Sequence, residues 1–219
     1  MKRTFGNCVN SEKDKMIVKI CGIKDEDNLE ELSELKFEMI GLNFYPPSKR
    51  FLSYDRTDFI DGIPSHIRKV GVVVNENIDK VYSLVTDFEL DDIQLHGSES
   101  ISYCEEVAEF CNIIKAFGIE EGMDIDELVE GYEMCSYLLF DTKSKNHGGT
   151  GRKFDWNTLD SYTGLTPFLL SGGIGPADYE QILELEHSSL VGVDINSKFE
   201  IEPGIKNIDL IAEFLEEIK

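Results

Sequence analysis

The sequence predicts an α/β protein, a single closed (β/α)8 TIM barrel behind a short polar N-terminal extension. Three observations carry this. Eight short apolar runs recur along the 219 residues, their starts 21 to 30 residues apart. The segments between them carry helical periodicity. No Pro/Gly/Ser-rich linker divides the chain. Near-continuous apolar runs read as parallel strands buried on both faces. Eight strand–helix units in one chain of this length close into a barrel, with an open doubly wound sheet as the alternative.

The elements follow in order. Residues 1–15 are polar, with no apolar run behind their basic groups, and read as a mobile extension; the barrel takes residues 16–219. The first strand is expected over Ile17–Cys21. Asp25 is a helix start signal, followed by the stripe Leu29, Leu32, Leu35. The second strand is Met39–Phe44 and the third Lys69–Val74, after which Val81, Leu84 and Val85 mark a helix. Strand four is Asp92–His96; Ser100 opens the helix that carries Tyr103, Val107 and Phe110. Strands five to eight are expected at Ile113–Phe117, Tyr137–Asp141, Pro167–Leu170 and Val191–Ile195. A last helix places Ile208, Ile211, Leu215 and Ile218 on one stripe.

Composition excludes several classes. Lys and Arg total 21 and Asp and Glu total 43, a formal net charge of −22. Such a charge favours disorder, but 41% hydrophobic and 10% aromatic residues supply a core. A duplex-binding protein needs a basic footprint, and an anionic membrane repels an acidic chain, so neither nucleic acid nor membrane is an expected partner. No apolar run is long enough to span a bilayer. The five cysteines are odd in number and form no C-x-x-C pair. With no secretory leader in the first fifteen residues, a reducing cytoplasm is the expected location.

In a barrel of this kind active sites lie at the carboxyl ends of the strands. Polar groups crowd that rim. Strand alternation puts Lys19 and Cys21 on one face of strand one, and Asp92, Gln94 and His96 on one face of strand four. The turn Ser171-Gly172-Gly173-Ile174-Gly175-Pro176 follows strand seven and opens a helix; it fits a phosphate cradle or a plain tight turn. Gly148-Gly149-Thr150-Gly151 fits a lid or a flexible loop. Cys21 is either an inert buried thiol or a base whose thiolate Lys19 favours. Asp141 is either a cap or an acid, and with Cys21 makes a proton-transfer pair. His96 is a substrate donor or a core histidine. Arg50 is a carboxylate fork or a solvated surface group. The four histidines show no ligand spacing, so no metal is expected.

Taken together, these strand ends resemble the phosphoribosylanthranilate isomerase family of tryptophan biosynthesis. The matching stretches are Val18-Lys19-Ile20-Cys21-Gly22-Ile23, Phe44-Tyr45-Pro46-Pro47-Ser48-Lys49-Arg50, Val70 to Asn75, Gln94-Leu95-His96-Gly97-Ser98-Glu99, Leu139-Phe140-Asp141-Thr142, Gly148 to Gly151, Phe154-Asp155-Trp156, Ser171-Gly172-Gly173-Ile174, and Asp194 through Lys206. The resemblance implies an acid–base Amadori rearrangement without cofactor or metal. N-(5-phosphoribosyl)anthranilate would become 1-(2-carboxyphenylamino)-1-deoxyribulose 5-phosphate. It implies Cys21 as general base, Asp141 as general acid and Arg50 as the holder of the anthranilate carboxylate. Gln94 and His96 would line the pocket. Gly172, Gly173, Asp194, Asn196 and Ser197 would serve the phosphate end. The partner is then a small anionic phosphorylated substrate, and the chain a monomer or weak homodimer.

The chain departs from the family pattern in three places. Lys49 stands where a proline usually precedes the arginine. Lys198 replaces a glycine in the loop after strand eight, and Asn43 replaces an apolar residue in strand two. Two rival readings make opposite demands. A synthase closing an indole ring would use a lysine–glutamate pair at the strand ends; a non-catalytic phosphate-binding barrel would keep the glycines alone. The anionic substrate also conflicts with the net charge. The excess acid is therefore expected on the outer helices and the opposite rim.

Overall fold

The computed structural model describes residues 16–142 and 153–218. The expected extension and the Gly148–Gly151 turn lie outside the described residues. Eight parallel strands close a barrel in chain order: β1 Ile17–Cys21, β2 Met39–Asn43, β3 Arg68–Val73, β4 Asp92–Leu95, β5 Asn112–Ile119, β6 Tyr137–Thr142, β7 Phe168–Leu170 and β8 Leu190–Ile195. The barrel closes where β1 pairs with β8, with Lys19 in register with Asp194.

The outer layer is less regular than eight helices. α1 (Glu26–Ser33), α2 (Ile78–Asp87), α3 (Ile101–Ala108), α4 (Ile125–Val129), α5 (Tyr179–Leu183) and α6 (Ile208–Ile218) pack outside the strands. Between β2 and β3, and between β6 and β7, the helices expected from the repeating pattern are 3₁₀ turns, Thr57–Gly62 and Trp156–Ser161. Both segments hold few periodic apolar positions: Phe59 is buried in the first, Trp156 and Leu159 in the second. One such side chain per turn suffices to seat a short 3₁₀ element but not a longer helix. Asp25 and Ser100 cap α1 and α3 as their positions predict, accepting from the backbone N–H of Asn28 and Tyr103.

An antiparallel hairpin interrupts the pattern after β8. β9 (Glu200–Glu202) and β10 (Ile205–Lys206) are joined through Pro203 and Gly204, the glycine at φ +94°. Asn28 on α1 clasps this hairpin, accepting from Lys206 N at 2.7 Å and donating to Lys206 O at 3.0 Å.

Strand alternation sorts the core into two. Outward residues such as Val18, Ile20, Leu42, Ile93, Phe140 and Leu170 pack under the helices. Inward Met39, Val70, Ile114, Ala116, Leu139 and Leu169 fill the lower barrel. Asp92 belongs to this lower end, at the start of β4, where Arg68 forks onto its carboxylate at 2.6 and 2.9 Å. It shares a face with Gln94 but not their pocket. Above the apolar plug, inward positions become polar.

Candidate active site

Lys19 and Cys21 point inward from β1, as alternation predicts. Lys19 is fully buried and donates to Asp194 Oδ1 on β8 at 2.8 Å; Ser171 Oγ lies 3.3 Å from the other Asp194 oxygen. Burial alone would strip the lysine of its proton, but Asp194 and Cys21 outweigh it and hold the ammonium above its ordinary range. Breaking such a buried pair costs about 3–5 kcal/mol, because it strands the other charge.

Cys21 is buried beside Gly41, where a Cβ would lie 2.7 Å from its Sγ, so only glycine leaves the thiol its place. Lys19 favours the thiolate as expected, but it is outweighed. Burial raises the thiol above its ordinary range; Lys19 and Lys206 pull it down, Asp194 pushes it up, and burial wins. Asp194, hydrogen-bonded to Lys19, opposes part of what the lysine does at the sulfur.

Asp141 ends β6, three strands round the barrel from Cys21. Thr142 N donates to its Oδ1 at 2.7 Å, and His96 Nε2 lies 3.4 Å from its Oδ2. Gln94 Nε2 meets His96 Nδ1 at 2.8 Å, while Gln94 Oε1 is buried without a partner among the described residues. Gln94, His96 and Asp141 therefore form one polar chain along the wall.

Gly172 and Gly173 follow β7 with φ of +92° and +72°. A Cβ on Gly172 would sit 2.6 Å from Thr142 N and 2.9 Å from Asp141 Oδ1, so the turn packs directly on the carboxylate strand end. The helix expected behind it begins as a 3₁₀ turn, Pro176–Asp178, and runs into α5. Asp178 already accepts from Gly175 N at 2.6 Å and pairs with Lys153. The donors left to an anion are thus the glycine N–H groups nearer the strand end. Ser197 opens a 3₁₀ turn after β8 with Asn196 as its N-cap, and Lys198 is exposed alongside Gly175.

Arg50 lies on the rim, its side chain across Gly22 at φ +83°, where a Cβ would meet Arg50 Cδ at 2.5 Å. Its loop is tied by Ser48, whose Oγ accepts from Arg50 N, and by Lys24 Nζ on the Lys49 carbonyl at 2.9 Å. Asn43 belongs to the same device. Its Oδ1 accepts from Tyr45 N and its carbonyl from Leu52 N, which pins both ends of the loop. The guanidinium is not free. It forks onto Glu200 of β9, Nε to Oε1 at 2.7 Å and Nη2 to Oε2 at 2.5 Å. Buried Lys206 donates to Glu200 Oε1 and to Asn196 Oδ1, each at 2.8 Å. Glu200 and Lys206 carry no role in the sequence reading; the Pro203-Gly204 turn was the available signal for the hairpin that brings them in.

Lys115, like Lys19 and Lys206, is committed. Lys115 donates to the carbonyls of Leu95, Gly97 and Ala116 and lies 3.1 Å from Glu99. Among the described residues no group of three or more His, Cys, Asp or Glu side chains converges as a metal site, and no helix is long and apolar enough to cross a membrane.

Known proteins share this fold and part of this sequence. A model of the N-(5'-phosphoribosyl)anthranilate (PRA) isomerase family matches residues 18–217. The chain is 40% identical over 206 residues to the N-(5'-phosphoribosyl)anthranilate isomerase of Parabacteroides distasonis, covering 93% of each. The crystal structure of the Thermotoga maritima phosphoribosyl anthranilate isomerase superposes with a TM-score of 0.82 at 32% identity, covering 93% of this chain and 98% of that one. A further relative, crystallised with reduced 1-(o-carboxyphenylamino)-1-deoxyribulose 5-phosphate, superposes at 0.79 with 30% identity and the same coverage. The chain belongs to the N-(5'-phosphoribosyl)anthranilate isomerase family.

Proposed function

We propose that this protein converts N-(5'-phosphoribosyl)anthranilate into 1-(2-carboxyphenylamino)-1-deoxyribulose 5-phosphate, a step of tryptophan biosynthesis. The observation that carries the reading is the inward thiol of Cys21 and the inward carboxyl of Asp141, set on opposite walls of one polar layer above an apolar plug. The two groups divide the chemistry. Protonated Asp141 gives its proton to the furanose ring oxygen, and the C1–O bond breaks as the anilino nitrogen's lone pair forms a protonated imine. Cys21 then removes the proton from C2. The electron pair left there flows into the imine, and the resulting enolamine tautomerises to the ketone. The protonated imine is the electron sink, so the scheme needs no metal or cofactor.

The surroundings suit these roles. Arg50 meets the anthranilate carboxylate, and Gln94 and His96 line the wall beside Asp141. The N–H groups of Gly172 and Gly173, with Asn196 and Ser197 across the β7–β8 rim, receive the phosphate. Asp194 acts through Lys19, fixing it beside Cys21. Burial keeps Cys21 a thiol in the free protein; the cationic imine beside it favours the thiolate when a base is needed. The indole-closing alternative would leave Cys21 idle, and the two lysine–glutamate pairs described, Lys115–Glu99 and Lys206–Glu200, are buried and bound to further polar groups. The described free thiols suit a cytoplasmic location. Among the described residues the large exposed apolar side chains, Tyr82, Ile101, Leu165, Leu183 and Ile201, are dispersed over four elements and a loop, which suits a monomer or weak homodimer.

Turnover of N-(5'-phosphoribosyl)anthranilate, followed by anthranilate-type fluorescence, tests the reading. Cys21→Ala and Asp141→Asn should each lower kcat by about 10³-fold or more. A parent that leaves the substrate unchanged disproves the function, and a variant with the parent's rate disproves the role of that residue.

A further inference from the structure

Arg50 has five N–H donors in a rigid plane. Glu200 takes the edge made by Nε and Nη2. The edge made by Nη1 and the outer N–H of Nη2 stays uncommitted among the described residues, and it has the spacing of a second carboxylate. Glu200 itself is tied on several sides. Its Oε1 also accepts from Lys206 Nζ at 2.8 Å and from Gly204 N at 3.1 Å, and its side chain is only 4% exposed. Lys206 is wholly buried and anchored in turn by Asn196 and, through its backbone, by Asn28. Arg50 keeps 15% of its side chain open and lies over Gly22, next to Cys21. The cluster of Arg50, Lys206 and Glu200 carries a net single positive charge, which suits one further anion.

We propose that Glu200 is the positioning residue that aims Arg50 at the substrate's carboxylate and so sets the preference for a carboxylated aromatic amine on the sugar. This rests on the isomerase reading and on Arg50 as the carboxylate's partner. Glu200 touches no reacting atom. It holds one edge of the guanidinium so that the other faces the pocket without an entropic cost at binding. The flexible arginine stem alone would not give that direction.

The test compares kcat/KM on N-(5-phosphoribosyl)anthranilate with kcat/KM on N-(5-phosphoribosyl)aniline, which lacks the carboxylate. The ratio of the two measures what the carboxylate contributes. In Glu200→Gln the ratio should fall at least tenfold, through KM on the carboxylated substrate, with kcat/KM on the aniline substrate within about threefold of the parent. Simple electrostatics predicts the opposite, because removing a negative charge should tighten an anion; a lower KM in Glu200→Gln overturns the proposal. Equal losses on both substrates indicate a merely structural role and also overturn it. Arg50→Lys gives a second route that leaves Glu200 intact. A lysine cannot present two edges, so its ratio should match that of Arg50→Met, and retention of the parent's ratio overturns the proposal. Failure of the underlying reading looks different: the parent ignores both substrates, or Arg50→Met leaves the ratio unchanged.

Discussion

Cys21 shows how a single side chain can be legible in sequence while its chemistry is not. Its inward direction followed from strand alternation, and so did that of Lys19. Its titration did not, because burial inside the closed barrel governs it, with Lys19, Asp194 and Lys206 adding to it from both ends of the chain. The sign has a kinetic consequence. A base must be unprotonated to act, and burial holds this thiol above the ordinary range. In Asp141→Asn, where no acid titrates in opposition, the residual kcat/KM should therefore climb with pH between about pH 7 and about pH 9 without levelling at the ordinary thiol pKa of about 8.5. A residual profile that is flat over that range in Asp141→Asn counts against Cys21 as the titrating base. Arg50 was legible in the same partial way. Its loop marked it as a rim residue, but nothing local announces Glu200 across 150 residues.

At the scale of elements, the strands were readable because burial on both faces leaves little but Val, Ile, Leu and Phe in each run. The predicted ends differ from the observed ones by at most one residue, apart from Ile119, which extends β5 two residues past Phe117. Two connections failed as helices, since a 3₁₀ turn needs only one or two buried side chains and leaves little periodicity to detect. The turn after β7 was readable as glycine-rich, and its reason is now geometric. Gly172 combines φ of +92° with contacts on Thr142 and Asp141 that no side chain tolerates. Gly172→Ala should destabilise the protein by about 1–3 kcal/mol, as strained non-glycine backbone does. It should also raise KM several-fold by displacing the cradle proposed for phosphate. Thermal melts and steady-state kinetics measure the two effects, and unchanged values for both contradict the cradle.

The charge of −22 belongs to the whole molecule and is unevenly placed. Glu26, Asp27, Glu30 and Glu31 on α1, Glu105 and Glu106 on α3, and Glu213, Glu216 and Glu217 on α6 are all exposed on the outer layer. The cations Lys19, Arg50 and Lys206 sit in the polar layer with their own carboxylates. A doubly anionic substrate approaching from bulk still meets the field of the whole body, which reaches about 10 Å at 0.1 M salt. Raising ionic strength from about 10 mM to about 150 mM should therefore increase kcat/KM rather than lower it. A fall with salt would mean that local cations dominate the approach.

The ties that finish the polar layer span most of the chain: Lys19 to Asp194, Asn28 to Lys206, Arg50 to Glu200, with separations of 175, 178 and 150 residues. During synthesis the polypeptide emerges from its first residue onward. Cys21 and Asp141 leave the ribosome long before Asp194, Glu200 and Lys206 do. A nascent chain therefore carries Cys21 and Asp141 while Lys19 and Arg50 still lack the carboxylates that hold them. The polar layer can be completed only once the hairpin behind β8 has closed on α1, so the last quarter of the polypeptide finishes what the first three quarters begin.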